Sequence, residues 1–340
     1  MTVETRSVLT YFFFDKRLTN LLTSGLLLEA TMFTSLIALI LSLLLLGGCV
    51  GTSSSLSIAT TTINGASEQI PATLLKPDGP GPFPAIVMLH DCSGLGARSS
   101  GAPIRWGREL VGLGYVIVSP DSFTTRGHAG GVCTDPSPTR NEVSPNRRVY
   151  DAYAALAYLR TLPFVDGSRV GLMGGSHGGL TTLASMVAPE RDNEPLARDK
   201  RAGFAAAVAL YPGCAARMGG WRVVRQAGAG GPITDYVGVY RPVAPVLILI
   251  GENDDWTPAA PCRKLTEVAR QAGYPVTIKV YPGAYHSFDS YNPMRYDPAR
   301  VNANSPSGRG ATTGGDPNAW EDSTHEVAAF FGQHLMKPGN

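Results

Sequence analysis

Between Pro84 and Tyr281 one pattern recurs: a short apolar run, a turn, then a stretch with apolar residues at helical spacing. The runs are Pro84–His90 (PAIVMLH), Tyr115–Pro120 (YVIVSP), Arg169–Met173, Phe204–Tyr211 (FAAAVALY), Val243–Ile250 (VAPVLILI) and Val276–Tyr281. Most are apolar without alternation, which is how a strand reads when both of its faces are covered. The helical stretches are Arg105–Leu113, Arg147–Leu162, Gly178–Val187, Cys262–Ala272 and a closing Trp320–Leu335. In the second of these, Val149, Ala152, Tyr153, Leu156 and Leu159 share a face. Continuous strands separated by helices predict an α/β fold, a mostly parallel sheet with helices on both faces. Two β-type runs, Leu56–Ile63 and Gln69–Leu75, flank Asn64-Gly65 and predict an N-terminal antiparallel hairpin.

The 340-residue chain is 44% apolar, 16% charged and carries a net charge of +2. Such a composition excludes a disordered or coiled-coil protein, and it offers no basic surplus for nucleic acid. Upstream of the alternation, Leu36–Leu46 (LIALILSLLLL) has the length of a signal-peptide core and falls short of the about 20 residues of a spanning helix. It ends in Leu46-Gly47-Gly48-Cys49, which resembles a bacterial lipobox, with translation starting at Met1 or Met32. The expectation is a lipoprotein-like signal peptide over 1–48, a lipid on Cys49, a flexible tether over 49–55 and one domain over 56–340. That makes an exported protein, periplasmic or at the cell surface, held to the membrane by its lipid. An uncleaved anchor or a plain secretory signal is the alternative.

The chemistry is concentrated where the run Arg169–Met173 enters Gly174-Gly175-Ser176-His177-Gly178-Gly179 and then a helix. A serine on a glycine-flanked strand-to-helix turn is a nucleophile elbow: small neighbours permit the turn, and the hydroxyl stands at the helix N-terminus. In a chain with 39 glycines the pattern gains weight only from its partners, which should follow in the order acid, then histidine. After Val243–Ile250 comes Gly251-Glu252-Asn253-Asp254-Asp255-Trp256-Thr257-Pro258, and Asp254 is the expected acid, with Asp255 as solvated neighbour, loop brace or alternative acid. Of six histidines, His90 and His128 precede the serine, His177 adjoins it, and His325 and His334 fall on the last helix. His286, on the loop after the last strand, is the expected base. Two backbone N–H groups should hold an oxyanion: that of His177, and that of Cys92 in the loop His90-Asp91-Cys92-Ser93-Gly94-Leu95-Gly96. No metal or cofactor is called for. Three glycine- and polar-rich loops, 124–146, 218–241 and 287–318, are expected to build the cleft. Arg126 and Trp256 border it: Arg126 as a carboxylate anchor or an ion pair, Trp256 as acyl-pocket wall or loop packing.

Taken together, the HDCSGLG loop, GGSHGG, GENDDWTP and YPGAYHSF resemble, in order, the motifs of the dienelactone hydrolase family of α/β-hydrolases, from about Pro71 to the C-terminus. The resemblance implies an α/β-hydrolase fold and a small ester or lactone substrate. It also maps the second oxyanion donor to Cys92 and an acidic neighbour of the nucleophile to Asp91. Several members use a cysteine nucleophile on an enol lactone; with Ser176 in that place, a serine carboxylesterase is implied. A prolyl-oligopeptidase-like peptidase, which usually carries a large propeller domain, and a non-catalytic surface binding protein on the same fold are the rival readings. Beyond Cys49 the cysteines are Cys92, Cys133, Cys214 and Cys262, and four allow three pairings. A Cys214–Cys262 bridge joins the ends of neighbouring strands and leaves Cys92–Cys133; four free thiols are the alternative.

Overall fold

The computed structural model describes residues 51–336 apart from 63, 195 and 227–229. The expected signal segment and Cys49 lie outside the described residues. In chain order the elements are β1 (Thr52–Thr61), β2 (Ser67–Lys76), β3 (Phe83–Leu89), α1 (Ala102–Gly112), β4 (Val116–Pro120), α2 (Pro145–Leu159), β5 (Val165–Gly175), α3 (His177–Met186), α4 (Ala197–Arg201), β6 (Ala206–Leu210), β7 (Arg222–Arg225), β8 (Ile233–Val237), β9 (Val246–Gly251), α5 (Ala259–Gln271), β10 (Val276–Tyr281), β11 (Arg295–Val301), β12 (Arg309–Thr313) and α6 (Pro317–Leu335).

Eight strands form one sheet in the order β1-β2-β4-β3-β5-β6-β9-β10. The six from β4 to β10 run parallel, while β1 and β2 form an antiparallel hairpin whose β2 pairs antiparallel with β4. The central strands β6 and β9 are buried throughout and β3 from Pro84 on, because helices cover both faces, and their side chains are accordingly mostly Ala, Val, Ile and Leu. The sequence of β10, VTIKVY, alternates because this strand closes one edge of the sheet. Helix α2 lays Ala152, Ala155, Leu156 and Leu159 on the sheet, all fully buried.

Three departures from the sequence reading matter. First, β1 already begins at Thr52, with Ser53 opposite Leu75 and Ser54 opposite Leu74. Residues 52–55, expected as tether, are therefore strand. Their polar side chains read as linker, yet an edge strand needs only backbone partners. Second, the loop 218–241 contains the two-stranded ladder β7–β8, and 287–318 contains β11–β12. Pro298 and Gly310 hide the latter from a propensity reading. Third, α2 begins at Pro145, inside the segment expected as loop 124–146, whose remainder is loop as expected, with short 3₁₀ turns at Thr124–Arg126 and Pro138–Val143.

There are two disulfides among the described residues, the pairing favoured on sequence: Cys92–Cys133, which fastens the segment 124–146, and Cys214–Cys262, which ties the end of β6 to α5. Disulfides persist in oxidising compartments, which is consistent with an exported protein. No helix among the described residues is long and apolar enough to cross a membrane.

Candidate active site

Ser176 is the junction between β5 and α3. Its backbone sits at φ 53° and ψ −113°, a conformation that costs a non-glycine residue free energy and persists only when its surroundings enforce it. They do so on both sides: the Ser176 amide donates to Leu210 C=O at 2.9 Å, and its carbonyl accepts from the Leu180 amide at 2.8 Å. Gly178 is needed because a Cβ there would lie 2.2 Å from the Leu89 carbonyl oxygen. The turn leaves Ser176 Oγ at the N-terminus of α3, where the helix dipole favours negative charge.

His286 follows β10, and its carbonyl accepts from the Gly314 amide at 3.0 Å, tying the loop to the end of β12. Its Nε2 lies 2.8 Å from Ser176 Oγ and its Nδ1 lies 2.8 Å from Asp254 Oδ2. Tyr211 and Trp256 flank the ring, their centroids 4.7 and 4.9 Å from it, and exclude water around it. Asp254 is locked by its own loop: Oδ1 accepts the Trp256 and Thr257 amides at 3.0 and 2.7 Å, and Thr257 Oγ1 lies 2.9 Å from Oδ2. Sequence reading passed over Thr257, although it stands inside the GENDDWTP motif. Asp255 turns away and binds the Thr312 amide and hydroxyl, both at 2.8 Å, so it braces β12.

Cys92 and His177 both line the cleft that contains Ser176. Among the described residues neither backbone amide donates to a protein acceptor. The loop carrying Cys92 is held by its disulfide, by Val132 N–H donating to Cys92 C=O at 2.7 Å, and by a small core of Phe123, Val132 and Val143. Asp91 spends its carboxylate on this loop as well, accepting from the Ser93 amide and from the Ser93 and Ser100 hydroxyls. Behind it lies Arg148, fully buried and absent from the sequence reading. Its Nη2 donates to His90 C=O at 2.8 Å and its Nη1 to His177 Nδ1 at 2.7 Å. Burial pushes Arg148 down to about 10, so it remains a cation at neutral pH. Burial first, and then the Arg148 charge, push the His90 and His177 rings well below the ordinary histidine range. The available signal was positional: Arg148 falls on the same helical stripe as Ala152 and Ala155.

Arg126 is corrected as a carboxylate anchor at the cleft, while its ion-pair reading holds. It does not reach the cleft: its guanidinium is taken by Glu68 of β2 through two 2.8 Å bonds and by Asp151 of α2 at 2.7 and 2.8 Å. Arg147 joins the same pair of carboxylates, and the Arg126 side chain is only 6% exposed, so this is a buried ion network. Trp256 does line the cleft, and its Nε1 donates to Val301 C=O at 2.8 Å, so it is at once wall and loop packing.

The cleft measures about 870 Å³ and takes its walls from all three long loops. Arg140, Arg217, Arg222 and Arg225 line it, and no described Asp or Glu does. Among the described residues none of these four guanidiniums is paired with a carboxylate, whereas Arg225 is held by Gly231 C=O and Asn304 Oδ1 and Arg140 by Asp135 C=O. A second groove of about 820 Å³, along β10 and α6, carries no nucleophile beside a base.

A buried Ser–His–Asp line opening into a cleft at the C-terminal end of a parallel sheet is the arrangement of an α/β-hydrolase. The chain belongs to the dienelactone hydrolase family, whose profile matches residues 70–335. It is 28% identical over 236 residues to a Methylorubrum extorquens protein named "putative carboxymethylenebutenolidase", covering 68% of this chain and 72% of that one. Among solved structures it is similar to Thermogutta terrifontis esterase 2, crystallised phosphonylated by cyclosarin, with TM-score 0.55, 17% identity and coverage of 84% and 97% of the two chains. It is also similar to P91, a dienelactone hydrolase-like promiscuous phosphotriesterase from metagenomic libraries, with TM-score 0.53, 20% identity and coverage of 84% and 100%. Porphyromonas gingivalis dipeptidyl peptidase 4 matches with TM-score 0.52 and 18% identity over 84% of this chain, but over only 36% of its own length. At such identities these structures share the fold.

Proposed function

We propose that this family member is a serine hydrolase of carboxylic esters or lactones, acting through Ser176, His286 and Asp254 and an acyl-enzyme intermediate. The observation that carries the reading is the unbroken line Asp254 Oδ2–His286 Nδ1, His286 Nε2–Ser176 Oγ, each gap 2.8 Å, ending on a serine held in a strained turn. His286 takes the serine proton as Oγ attacks the carbonyl carbon, and returns it to the departing alcohol. Asp254 keeps the ring oriented and balances the imidazolium. The amides of Cys92 and His177 receive the negative charge that develops on the carbonyl oxygen. A water, activated by the same histidine, then releases the acid.

The unpaired arginines of the cleft favour esters that carry a second, anionic group away from the scissile bond. At the N-terminus, a lipid on Cys49 is proposed to hold the enzyme at the membrane; the acyl mass on a mature protein beginning at Cys49 tests this.

The test is a panel of 4-nitrophenyl esters, lactones and matched anilides with the wild type and Ser176→Ala. Esters or lactones should turn over, the hemisuccinate faster than the butyrate, and Ser176→Ala should lose several orders of magnitude. Turnover of anilides above esters would favour the peptidase reading, and no turnover at all the binding protein.

A further inference from the structure

The two amides assigned to the oxyanion come from segments far apart in sequence, at residues 92 and 177. Each must stay within a few tenths of an ångström of its working place relative to the other. One side chain bonds to both segments. Arg148 Nη2 donates to the carbonyl of His90, two residues before Cys92, and Nη1 donates to the ring of His177 itself. Phe123 completes the contact: its ring lies 5.1 Å from the guanidinium carbon and edge-on to both His90 and His177.

The surroundings are poor for an arginine whose purpose is stability. Arg148 is fully buried, forms no ion pair among the described residues, and its Nε has no acceptor. The neighbouring carboxylates are committed elsewhere. Asp91 is bound by Ser93 and Ser100, Asp121 by Phe123 and Thr124, and Asp151 by Arg126, Arg147 and Thr60. A buried cation with no carboxylate in direct contact costs free energy that a leucine or methionine would not, and the charges of Asp151, Asp91 and Asp121 nearby offset part of that cost. Its return here is geometric and electrostatic: a planar fork spans two loops, and a positive charge stands behind the place where the oxyanion forms.

We propose that Arg148 is a positioning residue that clamps the loop of Cys92 to the elbow at His177 and so fixes the two oxyanion donors in register. This deepens the proposed function and rests on it. The clamp acts only on the charge that develops at the carbonyl oxygen, so its loss should appear in kcat and not in ground-state binding.

The experiment compares wild type, Arg148→Lys, Arg148→Met and His177→Leu, together with the Arg148→Lys/His177→Leu pair. For each, kcat and KM on one ester are measured per active site titrated with a fluorophosphonate, alongside affinity for a boronic-acid transition-state analogue and Tm. Lys keeps the cation but not the fork, and His177→Leu removes one end of the clamp should Arg148→Met fail to fold. Expected are kcat losses of about 10- to 100-fold with KM within about twofold and analogue affinity falling in step with kcat. The double variant should lose little more than the worse single one, because either substitution opens the clamp. A lower Tm with kcat per titrated site unchanged, a rise in KM alone, or fully multiplicative losses would overturn the proposal. A wild type that neither turns over esters nor takes up the fluorophosphonate would remove the proposed function, and the clamp with it.

Discussion

The two disulfides make a matched pair for testing what the cleft loops do. Cys92 and Cys133 are separated by 41 residues, Cys214 and Cys262 by 48. In the chain-entropy account a loop of this size contributes about 4 kcal/mol, and the two differ by only about 0.1 kcal/mol. Replacing either pair by alanines should therefore lower stability similarly, by about 4 kcal/mol or somewhat less, which in a domain of this size is a drop of roughly 8–16 °C in Tm. Their effects on catalysis should differ. Cys92–Cys133 holds the very residue whose amide is assigned to the oxyanion, whereas Cys214–Cys262 ties the end of β6 to α5. Losing the first should cost at least about tenfold in kcat at 25 °C, and losing the second no more than about threefold. Differential scanning calorimetry and steady-state kinetics on the two double variants check both parts. Equal losses of kcat, or a larger one from the Cys214–Cys262 variant, would refute the assignment of the Cys92 loop.

Three further outcomes follow from the site and the ion network. Asp254→Asn should lower kcat by several orders of magnitude and Asp255→Asn by less than about tenfold, since only Asp254 faces His286; steady-state kinetics on both decides it. Arg126→Ala removes one of the two cations that Glu68 and Asp151 share and leaves Arg147 as the other, so it should cost about 3 kcal/mol in urea unfolding while kcat of the folded enzyme stays near wild type. Glu68 is held below the usual 4.5 chiefly by its hydrogen bond to Arg126, with the charges of Arg126 and Arg147 adding to it. Its contribution is therefore complete above pH 4.5 and is lost as pH falls through the lowered value. Urea melts at stepped pH should show the gap between wild type and Glu68→Gln constant above that pH and shrinking below it.

Much of the fold was legible because burial on two faces writes itself as uninterrupted Val, Ile, Leu and Ala, as in PAIVMLH and VAPVLILI. The elbow and its partners were legible because each needs a particular residue type at a strand end: Ser176 between glycines, Asp254 after β9, His286 after β10. What escaped did so for different reasons. The ladders β7–β8 and β11–β12 and the first residues of β1 are held by backbone pairing, which leaves no hydrophobic period. The destination of Arg126 depended on Glu68 and Asp151 converging from β2 and α2, a contact between residues 58 and 25 positions away in sequence. Arg148 was hidden for the opposite reason. An arginine on an otherwise apolar helical stripe is usually dismissed, and its burial shows only once the Cys92 loop is folded over it.

Ser176 is proposed as a nucleophile activated by His286. Reaction with a fluorophosphonate, followed by intact mass and peptide mapping, tests it without knowledge of the substrate. One adduct per chain is expected, on the peptide carrying Ser176, absent in Ser176→Ala and slowed by several orders of magnitude in His286→Ala. An unmodified protein, an adduct on another residue, or a His286→Ala variant that labels at the wild-type rate would contradict it.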